Sequence, residues 1–459
     1  MRLQFGLESY QHRSKPVAAQ RLINCWLEKS PVGAKNPVAL IGSYGIADFA
    51  TAGAGLLRGG LVVKNVAYVV SGLGLYRMDS IGTTVLLGTV PNGDRVSMAG
   101  DGTNIMIVTG GDGYVWNGTT VAQITDPDFP GADWVVYLDG YFVIGINGEV
   151  YISDPFDPTA WNALEFASAE ASPDDIVGAI VEKRELFIGG QDTIEVWMNT
   201  GNADFPLERI PSGVCEIGLL SRFGFAKADN SVFFPATDFT VRRMDGYTPI
   251  IISSPAVSQA IEDLADKTSL HGMMLGEGGH TLYVLSCSEW TKAFDTATQL
   301  WHDKKSYDYE YWRGLFALNA YGKWLIGDQT SNKVGELSAT TFTEWGDPLV
   351  MLGTAYVSAQ DNAQIPSGRL ELAFEQGVGL ANGQGSDPQV MMRQSFDDGR
   401  KWTSEAWRDM GRIGETTKTA VWNRCGKVQH PVSRTLEFSI SDPVRRALIY
   451  ANYGPREGE

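Results

Sequence analysis

Cysteine is scarce in this chain of 459 residues: Cys25, Cys215, Cys287 and Cys425 lie far apart. There is no C-x-x-C pair and no cysteine–histidine cluster at ligand spacing. That argues against a zinc module or a disulfide framework and leaves buried thiols in a reduced compartment as the reading. The five histidines, His12, His271, His280, His302 and His430, are equally scattered. No apolar run reaches the roughly eighteen residues that a membrane helix needs, so no membrane span is expected. Met1–Gly6 has no apolar signal core, and secretion by that route is not expected. Lys- and Glu-rich helical stretches are few. Positive charge is short as well, with 37 basic against 54 acidic residues and a net charge of −17. Residues 350–459 hold 13 of each sign, so the whole excess lies in residues 1–349, with 24 basic and 41 acidic. Such a surface repels phosphates, the opposite of a duplex-gripping footprint.

Recognisable chemistry is missing too. The chain has no G-x-S-x-G elbow, no Walker loop and no H-E-x-x-H. The carboxylate neighbours Asp174–Asp175 and Glu262–Asp263 point apart in sequence and lack the opposed geometry of acid–base work. Asp101-Gly-Thr-Asn104 and Gly110-Gly-Asp-Gly113 lack the full ligand series of a calcium loop and read as turns. Asn117-Gly-Thr119 matches a glycosylation sequon but, without a secretion signal, is also a turn. No catalytic, cofactor-binding or metal-binding residue is assigned, and no cofactor is expected.

What the chain does have is glycine, 52 residues, and aromatics at 11%. They punctuate a repeated phrase, clearest in Val96–Ile124. A strand turns at Asp101-Gly102 into Asn104–Thr109, turns again at Gly110–Gly113 into Tyr114–Trp116, and turns at Asn117-Gly118 into Thr119–Ile124. Units of this kind recur at roughly forty-residue intervals, beginning near Gly59, Val96, Asp133, Asp175, Arg222, His271 and Gly314, which is the period of a β-propeller with one blade per repeat. Trp134, Trp197, Trp290, Trp301, Trp312 and Trp324 suit blade packing better than a sugar platform. The one convincing helix is Ser254–Asp266, with Ser254 as cap, Pro255 in the first turn and an apolar stripe at Val257, Ile261 and Leu264. The chain is expected to be all-β: an N-terminal segment over 1–57 whose strands join the platform, a propeller of six or seven blades over 58–349, and a β-sandwich platform domain over 350–459.

The last region breaks the blade grammar with longer strands, such as Gly368–Phe374 and Arg434–Ile440. It also holds Ser395-Phe-Asp397-Asp-Gly399-Arg-Lys-Trp402, which matches the Asp-box S-x-D-x-G-x-x-W of sialidase-like propellers. Asp397 is placed to accept turn amides, Gly399 to take positive φ and Trp402 to pack beneath. Occurring once and outside the repeats, Ser395, Asp397, Gly399 and Trp402 are read as a structural turn and not as a catalytic centre.

Three stretches in order resemble the packaged-DNA stabilisation proteins (tail accessory, or tail nozzle, proteins) of short-tailed phages. The first is Arg21-Leu-Ile-Asn-Cys-Trp-Leu-Glu28, with Pro37–Ile46 and Arg58-Gly59. The second runs from Ser172-Pro-Asp-Asp through Glu185–Gly189 and Thr193–Trp197 to Thr200-Gly201. The third is Ser395–Gly399 with Arg412-Ile-Gly414, Val421–Arg424 and Phe438–Pro443. Ser43-Tyr44 departs from the family, which more often has Pro-Gly there. The resemblance implies a virion tail component, made in the host cytoplasm, forming a ring, usually hexameric, below the portal and its adaptor ring. Such a ring closes the DNA exit channel after packaging and later forms its lower tube, with tail fibres or spikes and a needle or plug attached nearby. It has no catalytic residues to carry over. The acidic balance suits transient, non-specific DNA passage, since every basic contact would add affinity and drag. The alternative is a sialidase-like or carbohydrate-binding propeller.

Overall fold

The computed structural model describes residues 2–3, 5–91, 93–168, 175–202, 205–357, 368–423, 425 and 434–454. Seven four-stranded antiparallel sheets form a ring. Blade one is Leu57–Val63, Val66–Ser71, Gly74–Met78 and Thr84–Thr89; blade two is Ser97–Gly100, Ile105–Val108, Gly113–Trp116 and Val121–Gln123. Blades three to six begin at Trp134, Ile176, Ala226 and His271. The first strand of each blade is innermost, and first strands pack side by side at six of the seven interfaces, with Gly314–Ala320 of blade seven against Leu57–Val63 of blade one. An apolar cluster fills each of the seven interfaces. That between blades one and two holds Val70, Leu75, Ile105 and Ile107; that between blades seven and one holds Leu57, Val69, Phe316 and Val334. A lone blade would leave one such face in water, so the ring is what makes each sheet stable.

Tight turns set the geometry. In six blades the first hairpin turns on two residues, both with positive φ: Lys64-Asn65, Asp139-Gly140, Lys183-Arg184, Asp229-Asn230, Gly278-Gly279 and Tyr321-Gly322. This is the primed turn whose twist matches a β-hairpin. Blade two uses a longer turn instead. There Asp101 Oδ1 accepts the amides of Thr103 and Asn104 at 2.6 Å each, so the carboxylate works as a turn acceptor. The helix spans Pro255–Asp263, capped by Ser254, with Val257 and Ile261 buried between blades five and six. It ends before Asp266, which instead caps a short 3-10 turn at Lys267–Ser269.

Blade seven takes its outer strand from the far end of the chain. Gly45–Thr51 pairs antiparallel with Lys333–Ser338, Ile46 opposite Leu337 and Thr51 opposite Lys333. Gly45–Thr51, expected among the strands joining the platform, therefore completes the propeller. The reason is packing: Ile46 is buried with Met273, Ile326 and Trp345 between blades six and seven. Gly45 is needed at its start, because a Cβ there would lie 2.5 Å from the carbonyl oxygens of Thr341 and Thr343.

The platform is a sandwich of two sheets. One orders Ala420–Trp422, Arg369–Phe374, Ala447–Gly454, Val38–Gly42 and Cys25–Lys29. The other orders Leu22–Ile23, Met351–Val357, Arg434–Ile440, Gln389–Ser395 and Ala406–Asp409. Leu372, Phe374, Leu436, Phe438 and Leu40 meet between them. All four cysteines are buried and free.

One buried acid offers a test of the closure. Glu344 pairs beside Ile46, is 1% exposed and accepts Trp312 Nε1 at 2.5 Å. Burial pushes its carboxyl up to about 7, against the opposing pull of Ser306, Arg313 and Trp312. The folded chain thus holds a proton that the unfolded chain releases near pH 4.5, and folding loses stability as pH rises between the two values. Glu344→Gln, which keeps the acceptor for Trp312, should match the wild type in melts near pH 4.5 and exceed it by roughly 1–3 kcal/mol above pH 7 in denaturant titrations. An equal stability at pH 8 would contradict this.

Candidate assembly site at the propeller–platform junction

The N-terminal strands stitch the two domains together. Leu22–Ile23 pairs antiparallel with Met351–Val357 of the platform, and Ile23 pairs in parallel with Asp303 of blade six. Blade six and one platform sheet are thereby a single nine-stranded sheet. Asn24, at φ 52°, turns the chain out of it; its amide nitrogen donates to the carbonyls of Lys305 and Val350 at 2.7 and 2.9 Å. The chain then crosses to the second platform sheet and on to the closing strand.

At this crossing a polar cluster is sealed from water. Glu277, at the end of the inner strand of blade six, accepts Lys304 Nζ at 2.8 Å and the backbone amide of Tyr44 at 2.5 Å. Lys304 also donates to Ser43 Oγ at 3.3 Å. Arg446 of the platform donates to the carbonyls of Ser43, at 3.1 Å, and Leu349. Glu277, Lys304, Ser43 and Arg446 are all buried. Burial lowers the Arg446 guanidinium to about 10, still a cation at neutral pH. Ser43-Tyr44, the departure from the resembled family, thus provides a hydroxyl and an amide that a Pro-Gly pair would arrange differently.

Beside it, His280 links the two domains directly. Its Nδ1 lies 2.8 Å from Asp295 of blade six and its Nε2 lies 2.8 Å from Glu28 of the platform. Burial opposes a charge on the ring, but the two carboxylates outweigh it and raise its proton affinity above the usual imidazole value. The neighbouring His302, buried and near Lys304, is held down to about 3. No signal in the sequence singled out these residues, because their partners lie on strands far apart in the chain.

The Asp-box forms a compact hairpin between two platform strands. Ser395 Oγ donates to Asp397 Oδ1 at 2.8 Å and accepts the Gly399 amide at 2.8 Å. Asp397 Oδ1 accepts the amides of Arg400 and Lys401 at 3.1 and 2.7 Å. Gly399 has φ 81°. Trp402 lies under the Arg393 guanidinium, 4.8 Å from its carbon to the ring centre. The structure brings these four residues into one turn, away from the blades. Of the carboxylate neighbours, Glu262 meets Arg13 at the surface. Asp174, like Ser172, Arg424 and His430, lies outside the described residues. Among the described residues no group of three or more His, Cys, Asp or Glu is placed to hold a metal. No helix there is long and apolar enough to cross a membrane.

The starts of the inner strands converge at one mouth of the ring. Arg222, leading into blade five, reaches Asp133 of blade three at 2.7 Å. Arg95, leading into blade two, stacks on Phe223 at 4.2 Å and meets the Leu315 carbonyl of blade seven at 3.4 Å. Side chains from non-adjacent blades therefore meet across the axis.

A closed propeller is here fused through a shared sheet to a β-sandwich. The chain belongs to a phage tail family: residues 9–342 match the profile described as bacteriophage P22 Gp10, β-propeller, and residues 350–452 match bacteriophage P22 Gp10, β-sandwich. It is a structural protein of the virion tail, of the podovirus tail accessory and stabilisation family. No curated protein matches the sequence. Among solved structures, the computationally designed protein Ika8 is 16% identical, with 70% of this chain and 99% of that one covered, at a TM-score of 0.40. The extracellular domain of BT4673 from B. thetaiotaomicron is 12% identical, with 82% and 48% covered, at a TM-score of 0.44. The Cps50 (Swd1) β-propeller domain of Myceliophteria thermophila is 10% identical, with 63% and 99% covered, at a TM-score of 0.41.

The His280 link should be readable by pH. Its stabilising charge is fully present below the unfolded histidine value of about 6.5 and is lost as pH rises through the raised folded value. Buried His302 and His271, both held down to about 3, act in the opposite direction in acid, so a difference between variants is the cleaner measurement. Wild type should out-melt Glu28→Gln at pH 6, and the gap should narrow towards pH 9. A gap that is constant or widens over that range would refute the link.

Proposed function

We propose that this chain forms a ring of identical subunits, hexameric as in the family it resembles, below the portal and its adaptor ring. There it closes the DNA exit channel after packaging, stabilises the packaged genome and later lines the path of ejection. Tail fibre or spike proteins and a needle or plug attach to it. The observation that carries the reading is the match of both domains, in order, to one phage tail family.

Two properties of the chain support it. The propeller axis is crossed by Arg222–Asp133 and Arg95–Phe223, leaving no passage for a duplex within one subunit. A conduit would then lie between copies. The net charge of −17 disfavours sticking to phosphates along that conduit. The role is non-enzymatic on this reading, and Ser395, Asp397, Gly399 and Trp402 serve to hold a platform turn and to seat Arg393.

Purified chain mixed with its adaptor protein should give ring-shaped particles in negative-stain images and a matching mass by mass photometry. A monomer that ignores the adaptor and cleaves a glycoside panel would favour the sialidase-like alternative. Filter retention of duplex DNA at low salt should be negligible; tight, salt-sensitive retention would sink the sliding-conduit reading. Asp397→Ala removes an acceptor of two turn amides and should lower the unfolding temperature, while a variant that melts like wild type would remove the assigned turn role.

A further inference from the structure

Between the platform and the segment leading from blade six to blade seven lies a cleft of about 670 Å³. Ile23, Val350 and Leu352 line it, with Arg21 from just before the Leu22–Ile23 strand, Arg393 from a platform strand and Tyr307 from the connecting segment. Arg393 Nε donates to Glu437, and Arg21 lies 3.9 Å from the same carboxylate. Glu437 is 2% exposed. Two guanidiniums thus share one buried carboxylate, and this group of three side chains carries one positive charge more than negative. Their side chains are only 31% and 33% exposed, so solvent screens that charge incompletely. Lys305 is paired with Glu310 at 2.7 Å, and the exposed Asp308 also lines the cleft, so the attraction for a carboxylate is local to the two guanidiniums and not a property of the whole cleft. Arg393 is further held over the Trp402 ring.

We propose that this cleft seats an acidic–apolar segment of a partner polypeptide. A carboxylate of the partner is received by the guanidinium N–H groups of Arg21 and Arg393 that Glu437 leaves unused, beside an apolar side chain on the Ile23–Leu352 surface. Guanidinium forks match carboxylates in geometry. Arg and Tyr are also the residue types that concentrate binding energy at interfaces, and Tyr307 is 47% exposed with its ring available. Glu437 and Trp402 hold Arg393 before any partner arrives, which reduces the entropy lost on binding. Duplex DNA fits less well, because the concavity is too small for a duplex and the surrounding chain is acidic. The inference rests on the assembly reading only in taking the partner to be another tail protein.

The test uses the full chain and a fluorescent peptide alternating Glu and Leu, with a Lys–Leu peptide and a short DNA duplex as competitors, read by anisotropy. The Glu–Leu peptide should bind in a salt-sensitive way, and neither competitor should displace it. Arg393→Gln and Tyr307→Ala should each weaken binding by about fivefold or more. Tyr307, exposed at the surface, tests the cleft without disturbing Glu437, and melts of both variants show whether folding is intact. No binding of the Glu–Leu peptide, or equal binding by wild type and Tyr307→Ala, overturns the proposal. Displacement by the duplex overturns it in favour of a phosphate site. Failure of the chain to form rings with the adaptor would count against the proposed ring and leave the peptide result unchanged.

Discussion

The closing strand Gly45–Thr51 is the constraint on which the rest depends. A propeller is a stack of sheets that must be made circular, and here the circle is completed by pairing residues nearly three hundred positions apart. Of the seven apolar interfaces, the one between the last blade and the first is buried only when the circle closes. The chain reaches the closing strand only after threading both platform sheets. Closure of the propeller and completion of the platform are therefore coupled. Opening blade seven pulls on Asn24, Ser43 and Tyr44, which are bonded to blade six and to the platform.

That coupling passes through buried charge. Glu277, Lys304 and Arg446 are withdrawn from water where apolar packing would have been simpler. Buried ion pairs are weak evidence for stability, because desolvation offsets much of the attraction, but they are intolerant of losing one member. Here each charge also meets a backbone group or a hydroxyl of the crossing segment, so the cluster defines how the strand must pass. An apolar replacement could bury as much surface without dictating that path. His280 extends the same logic to the edge of the junction, where partial exposure of Glu28 lets pH reach it.

The repeats were legible because strand-turn-strand phrases with Trp and Tyr at their ends are local features. Blade two matches its sequence reading closely in strand order and turn positions, while the amide acceptance by Asp101 is visible only in the structure. The family and its two-domain order were legible for the same reason, as phrases spread along the chain. The sequence alone is compatible with six or seven blades, because the closing strand has no local mark. Gly45–Thr51 falls inside the 1–57 segment expected to join the platform, and only its partner strand reveals its place. The turns also hid their type: Lys64-Asn65, Lys183-Arg184 and Asp229-Asn230 adopt paired positive φ without glycine, so the usual Asn-Gly or Gly-Gly signal is absent. The Asp-box was visible as a motif, but the seating of Arg393 on Trp402 was not, since Arg393 lies outside the pattern.

Contacts across the propeller axis bear on the proposed role. A seven-bladed ring suggests a pore, but in this one Arg95 and Arg222 cross it to reach Phe223 and Asp133. Arginines at a pore mouth would hold phosphates if they were free. Arg222 is instead neutralised by Asp133, and Arg95 is turned onto an aromatic face with a carbonyl beside it. The hole is thus spent on joining non-adjacent blades, and the blades' outer strands and the platform remain the surfaces available to other molecules. In the proposed ring, a passage for a genome would lie between subunits, and the acidity of residues 1–349 would disfavour phosphate binding along it.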